Sequence, residues 1–369
     1  MDALHIVCFD VPYPADYGGA IDVFYRIRTL HRLGVRIILH CYVYGDRQPA
    51  PALAAYCTAV HYYPRQTGPL NHLATLPYIV RSRRSRALLD RLCADDYPIL
   101  LEGLHTAGVL LRGQLANRRV VLRSHNIEHH YYSHLAEEAA TLWRRLYFRK
   151  EAAQLRRLLH RLPTGLSVGA ISSTDEAYLR RRFPGTFWLP PFHSNRELRC
   201  RPGRGDFVLY HGNLAVPENE RVALELVETF SGGTVSLVLA GKSPGARLRR
   251  AVAGSRNVRL HANPAGELMD ELIQSAHVIL LLTYQPTGIK LKLLESLYRG
   301  RFCLANATML SGTGLAGAVI QLRGETYPAV AALMARDFTP AMIEHRAELL
   351  RPRYDNERNG RELLRRLFP

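Results

Sequence analysis

The 369-residue sequence has no CxxC pair and no histidines set near a cysteine at zinc-finger spacing, because its six cysteines (Cys8, Cys41, Cys57, Cys93, Cys200 and Cys303) are scattered. That pattern excludes a disulfide framework or a small zinc module and fits reduced thiols, several of them in apolar strand-like runs. No stretch approaches the ~18 apolar residues a spanning helix needs. The opening Met1–His5 lacks a basic segment, and Asp10 interrupts the apolar run too early for a signal peptide. A cytosolic compartment is expected. The loop from Tyr13 to Ala20 is not GxGxxG, and no Walker A sequence is present, so neither a dinucleotide fingerprint after the first strand nor a P-loop is indicated.

Acidic residues are scarce: 32 Asp and Glu stand against 49 Lys and Arg, a formal charge of +17. Arginines cluster in the first half, at Arg81, Arg83, Arg84 and Arg86, at Arg144-Arg145, at Arg156-Arg157 and at Arg180 to Arg182. No RNA- or DNA-binding module accompanies them, so nucleic acid is not an expected partner. Two readings of the charge stay open: a basic face against anionic lipid, or a solvated surface.

Hydrophobic residues make up 47% and aromatics 9%, the composition of a globular enzyme. The length suits two α/β domains at ~150 residues each. The run His5–Phe9 reads as a strand and the next residues, through Gly18-Gly19, as a loop. Ile21, Phe24, Ile27, Leu30 and Leu33 follow at helical spacing, and Val35–Leu39 is a strand again, which opens a parallel doubly wound sheet. Further strands are expected at 59–63, 99–101, 120–122 and 166–171. The prolines Pro190-Pro191 read as a linker. A second unit of the same rhythm begins at Phe207–Tyr210, with strands expected at 236–240, 258–260, 278–282 and 301–305 and a charged helical stretch from Pro340 to Phe368.

Two loops carry candidate chemistry. Gly18 and Gly19 bring backbone N–H groups to a helix start where an anion can rest, although tight turns need glycine for structural reasons too. Thr287-Gly288-Ile289-Lys290-Leu291-Lys292, ahead of Glu295, follows an apolar strand; with a helix starting near Gly288, its N–H groups and lysines would meet a diphosphate. His125 with Glu128, and His105, follow strands at the edge where ligands of open α/β sheets bind. Lys242 ends another strand. Asp95-Asp96 reads as a solvated turn and Ser172 to Glu176 as a helix N-cap region.

The passages PYPADYGGAIDVFYRIRTLHRLG, RSHNIEHHYY, YHGNLAVPENERVALELV and QPTGIKLKLLESLYRGRFCLAN, in this order and over nearly the whole chain, resemble the landmarks of GT-B glycosyltransferases of the glycosyltransferase 4 class. The resemblance implies an α/β protein with two Rossmann-like domains facing a cleft and a C-terminal helix crossing back. It places an acceptor domain at 1–190, a donor domain at 191–345 and the returning helix at 346–369. It implies transfer of a sugar, with retention, from a nucleotide diphosphate sugar to a hydroxyl of a cell-surface glycan or lipid-linked saccharide, without cofactor or bound metal. His125, Gly19, Glu128 and His105 would then be catalytic. Gly18, Gly19, Lys242, Thr287, Gly288, Ile289, Lys290, Lys292 and Glu295 would hold the donor. An anionic membrane face is a further expected partner. Family members often carry a Glu eight positions before the one matching Glu295; here that position is Thr287. The loop that usually supplies an Arg and a Lys to the diphosphate reads His211 to Asn219 here. A nonhydrolysing nucleotide-sugar epimerase and a non-catalytic binder of the same fold are the alternatives.

Overall fold

The computed structural model describes residues 3–68, 75–285 and 287–369, so Met1 and Asp2 of the chain start and Pro286 of the 285–289 loop lie outside the described residues. The chain divides into two compact units, Met1–Ser194 with Tyr354–Pro369, and Asn195–Arg353.

In the first unit the chain runs through β1 (Ala3–Cys8), α1 (Gly18–Arg32), β2 (Arg36–Val43), β3 (Ala59–Pro64), α2 (Tyr78–Arg81), α3 (Arg86–Leu92), β4 (Ile99–Glu102) and a 3-10 helix at Leu104–Arg112. It continues through β5 (Val120–Ser124), α4 (Glu128–Glu137), α5 (Leu142–Arg161), β6 (Ser167–Ala170), α6 (Ser173–Arg180) and β7 (Thr186–Trp188). The seven strands pair in parallel in the order β3-β2-β1-β4-β5-β6-β7. Near-continuous apolar strands such as Leu4, Ile6, Val7 and Ile99 to Leu101 are fully buried, as a parallel sheet covered on both faces requires.

The second unit repeats the scheme with β8 (Phe207–Asn213), α7 (Pro217–Phe230), β9 (Ser236–Lys242), α8 (Ala246–Ala253), β10 (Val258–Ala262), α9 (Gly266–Ser275), β11 (Val278–Leu281), α10 (Leu291–Arg299) and β12 (Phe302–Ala305). It ends with α11 (Ala307–Leu310), β13 (Ile320–Gln321), α12 (Thr326–Met334) and α13 (Pro340–Tyr354). Its sheet order is β10-β9-β8-β11-β12-β13, again parallel. The last helix, α14 (Asn356–Leu367), belongs to the first unit, where Leu363 and Leu367 enter the core formed by α1, β1 and β2. It approaches α1 closely: a Cβ on Gly360 would stand 2.9 Å from Leu33 Cδ1 and 3.0 Å from Thr29 Cγ2.

The unit limits differ from those expected at 190 and 345. Residues 191–194 stay with the first unit because Leu189 and Phe192 are fully buried there and the Phe192 N–H donates to Asp22 Oδ1 at 2.7 Å. Residues 346–353 stay with the second because α13 runs unbroken to Tyr354, and Arg346 donates to the carbonyls of Leu297 (3.1 Å) and Gly300 (2.6 Å). Asp95 sits in the expected turn, its Oδ1 accepting from the Tyr97 N–H at 3.0 Å, and Asp96 is exposed, but Asp95 is also tied inward, with His5 Nε2 at 3.0 Å and Arg118 at 3.2 Å. Ser172 does cap its helix, its Oγ accepting from the Asp175 N–H at 3.0 Å.

Candidate functional site

In each sheet the strand order reverses beside the first strand, between β1 and β4 and between β8 and β11, and ligands of open α/β sheets bind at the carboxyl ends of strands flanking such a point. The sequence candidates gather at these two edges.

In the first unit, Asp22 and Arg26 lie one turn apart on α1, Glu102 ends β4 and Arg123 lies near the end of β5, all four fully buried. Arg26 bonds Glu102 through Nε and Nη2 at 3.0 and 2.6 Å, and Arg123 bonds Asp22 through Nε and Nη2 at 3.2 and 2.9 Å. Two guanidinium and two carboxylate groups thus compensate one another, which buried charges require. Burial pushes the Asp22 carboxyl up, but Arg123 and then Arg26 outweigh it and hold the group below the usual range. His125 is set on this cluster. Its Nε2–H donates to Glu102 Oε2 at 3.0 Å and its Nδ1 lies 3.4 Å from Asp22 Oδ2. With both ring nitrogens facing carboxylates, the His125 ring is fixed in orientation.

Phe9, just past β1, joins the other candidates: its ring lies 5.1 Å from that of His105 and 5.4 Å, edge-on, from that of His125. A Cβ on Gly19 would meet Tyr17 at 3.0 Å and Phe9 at 3.1 Å, so the first turn of α1 comes close to this aromatic floor only because it has glycine there. Gly18 and Gly19 form that first turn, and the residue before them, Tyr17, supplies no side-chain cap. His105 Nδ1 is buried without a hydrogen-bond partner among the described residues, and burial, then Arg83, hold the ring well below its ordinary pKa. Glu128 opens α4; burial pushes its carboxyl up to about 8 despite the nearby Arg83 charge.

In the second unit, Lys292 on α10 points toward β8: its Nζ lies 4.8 Å over the Tyr210 ring and 4.0 Å from the position of a Cβ on Gly212. Burial, then the Lys290 charge, pull its pKa down to about 8 against the opposing pull of Glu218. An anionic ligand at the strand ends would favour the charged form of Lys292 that burial disfavours. Lys242 is exposed at the end of the adjacent β9, in register with Asn213 of β8. The loop after β11 is organised by Glu218 of α7. Its Oε1 accepts from the Thr283 hydroxyl, from Tyr284 N–H at 2.6 Å and from Gln285 N–H at 2.9 Å, and these bonds lower its pKa in spite of burial.

The helix expected from Gly288 begins at Leu291, because Gly288 is left-handed (φ 66°) and Lys290 is extended. Thr287, Gly288 and Ile289 are therefore loop residues. Lys290 turns back on that loop, its Nζ donating to the carbonyls of Gln285 (2.6 Å), Thr287 (2.7 Å) and Gly288 (3.2 Å), so it shapes the loop while Lys292 lies against β8. Glu295 is half-buried, and burial raises its pKa against the pull of Arg299. Ser296 Oγ pairs with His211 Nε2 at 2.9 Å, tying α10 to β8.

Sequence reasoning missed Asp22, Arg26, Glu102, Arg123, Phe9 and Glu218. A readable signal existed for Asp22 and Arg26, a charged pair at i, i+4 on the apolar side of an amphipathic helix.

No family model matches the chain. It is 23% identical over 341 residues, 85% of each chain, to an uncharacterized 44.6 kDa protein in the cps (capsule) region of Klebsiella pneumoniae. Among solved structures it resembles sucrose-phosphate synthase from Thermosynechococcus elongatus (TM-score 0.67, 18% identity, covering 100% of this chain and 99% of that one). It also resembles Anabaena HepE in complex with UDP-glucose (TM-score 0.65, 14% identity, the same coverage). With two parallel sheets, each reversing beside its first strand, the chain has the GT-B fold of these glycosyltransferase structures.

Proposed function

We propose that the protein is a glycosyltransferase that takes a sugar from a nucleotide diphosphate sugar and places it, with retention, on a hydroxyl of a cell-surface glycan or lipid-linked saccharide at an anionic membrane face. The observation that carries this reading is Lys292, a half-buried cation at the carboxyl ends of β8 and β11 beside a loop held by Glu218. A diphosphate seated there would gain a charge-assisted contact in a partly desolvated place, and the same contact would stabilise the departing nucleoside diphosphate. The HepE complex with UDP-glucose and the capsule-region relative support a nucleotide-sugar donor and a polysaccharide product. In the first unit, His125 is held in one orientation by Glu102 and Asp22, a rigid wall against which an acceptor sugar can be positioned.

Thr287 in place of the carboxylate expected there leaves the sugar to be held by the loop backbone. That feature favours one second reading, a donor binder without turnover. A thermal-shift screen against UDP, GDP, ADP, CMP and dTDP separates the possibilities, since a ligand of the native state raises its apparent stability. Selective stabilisation by one diphosphate, lost in Lys292→Ala, is expected. Stabilisation without hydrolysis or transfer of the matching sugar nucleotide favours the binder, and no response to any of the five rejects the donor site.

A further inference from the structure

Between α2, α3 and the 3-10 helix at 104–112, the first unit holds a cavity of about 300 Å³. Five arginines line it, Arg81, Arg83, Arg84, Arg86 and Arg112; the described lining includes no carboxylate, although Arg86 pairs with Asp90 beside it at 2.8 Å. The walls are built rather than incidental. Arg83 is buried and donates to two neutral carbonyls, Phe9 O at 2.6 Å and Ile79 O at 2.8 Å, and burial, then Arg65, lower its pKa against the weaker opposing pull of Asp10. Tyr42 Oη holds the Arg83 carbonyl at 2.5 Å, and Gln66 Nε2 holds that of Arg84 at 3.0 Å. Gly108 brings the 3-10 helix onto α2, where a Cβ would stand 3.0 Å from Val80 Cγ1.

Burial, then Arg112 and Arg81, lower the pKa of Arg84, which is how neighbouring like charges register. Such crowding costs stability unless an anion joins it. The planar fork of guanidinium suits phosphoryl oxygens best, and a concave pocket suits one compact anion better than an extended polyanion.

A second feature lies in the same unit, on α5, whose Glu151 meets the start of α2 some nine residues further along the helix. At the start of α5, Leu142, Trp143 and Leu146 are 71%, 67% and 56% exposed, with Arg144 and Arg145 between them. The two features share a support: the N–H of Tyr78, which opens α2, donates to Glu151 of α5 at 2.8 Å, and Arg81 closes the same helix. Exposed Trp and Leu among arginines is the pattern of an edge that dips into a lipid interface.

We propose that the arginine pocket binds a phosphoryl anion, a phosphate or diphosphate ester, and that the exposed edge of α5 marks a lipid as its carrier. The pocket lies in the first unit and Lys292 in the second, so the proposal rests on the acceptor part of the proposed function and not on the donor site.

The test uses the full chain and two variants, the double substitution Arg84→Ser with Arg112→Ser, both exposed positions, and Trp143→Ser. Inorganic pyrophosphate is titrated calorimetrically in a Lys292→Ala background, and sedimentation is measured with phosphatidylcholine vesicles with and without phosphatidylglycerol. The double variant should bind pyrophosphate and anionic vesicles about tenfold or more weakly, since each lost guanidinium removes charge-assisted hydrogen bonds. Its ligand-free melting temperature should hold or rise as repulsion is relieved, which separates lost binding from lost folding. Trp143→Ser should lose vesicle binding and keep pyrophosphate binding. Full vesicle binding by Trp143→Ser, with pyrophosphate binding still dependent on Arg84 and Arg112, would keep the phosphoryl site and overturn the lipid as its carrier. Unchanged binding of both probes by the double variant, or an equal or stronger arginine-dependent affinity for single-stranded oligonucleotide, would overturn the proposal.

Discussion

Glu128 and Lys292 are ionisable groups whose surroundings move them in opposite senses, and each leaves a signature in pH. Burial raises the folded-state pKa of Glu128 to about 8 from an ordinary 4.5. Its stabilising share is therefore fully present below the unfolded value near 4.5 and is lost as pH rises through 8, by ~1.4 kcal/mol for each unit within that window. Glu128→Gln removes the ionisation and keeps the shape. Its melting temperature should match the parent's below about pH 4.5, exceed it increasingly up to about pH 8 and keep that margin above; parallel curves would mean that Glu128 ionises freely in the folded chain. Lys292 is shifted down to about 8 from 10.5, so the cost of burying its charge is fully present below 8 and relieved between 8 and 10.5. A diphosphate needs that charge. Its affinity should fall by up to about tenfold between pH 7 and 9, as the protonated fraction of a group with a pKa near 8 falls. In Lys292→Arg the guanidinium stays charged, so the profile should be flat, and equal pH profiles for the two proteins would remove Lys292 from the donor site.

Among the elements, the loop between β11 and α10 depends most on a distant residue. Glu218 lies 65 positions before Thr283, yet its single carboxylate oxygen accepts from Thr283, Tyr284 and Gln285. Hydrogen bonds to a charged acceptor contribute about 1.5–3 kcal/mol each when well desolvated, and less for this half-buried group. Glu218→Ala should loosen the loop and raise the KM for donor several-fold with a smaller change in kcat, while Glu218→Gln, which keeps an acceptor, recovers part of the loss. An unchanged KM in Glu218→Ala would separate the loop from donor binding.

This loop also marks where the sequence stops being informative. Apolar runs of five or more residues between glycines and prolines identify the longer strands and the helices between them, because buried parallel strands and amphipathic helices write their periods directly. β7 and β13, at three and two residues, are too short to show a period. The start of α10 slips by three residues because the left-handed Gly288 ends one loop conformation before the helix begins. His125 and Lys292 were legible as polar residues beside strand ends. Their partners were not: Asp22 and Arg123 are 101 positions apart, and only the strand order brings them together.

On the scale of the whole molecule, the last residues of the chain complete the first unit across 159 residues that fold as the second, Asn195–Arg353. Leu363 and Leu367 are buried with α1, and Asn356 closes a pair of hydrogen bonds with the His193 backbone, its Nδ2 donating to the carbonyl at 2.8 Å and its Oδ1 accepting at 3.3 Å. Burying two leucines is worth ~3–6 kcal/mol together, a large fraction of the stability of a typical domain. Deletion of residues 355–369 should therefore lower the calorimetric transition of the first unit by on the order of 10 °C or more for a domain of this size, and leave the second unit's transition in place. The second-unit transition is identified by its response to the stabilising diphosphate. Gly360→Leu tests the same interface without truncation, since its side chain has no room against Leu33 and Thr29 and must displace α14. Should both variants leave the two transitions unmoved, α14 would not be part of the first unit's core. A shift confined to the diphosphate-responsive transition would assign the terminal helix to the second unit instead.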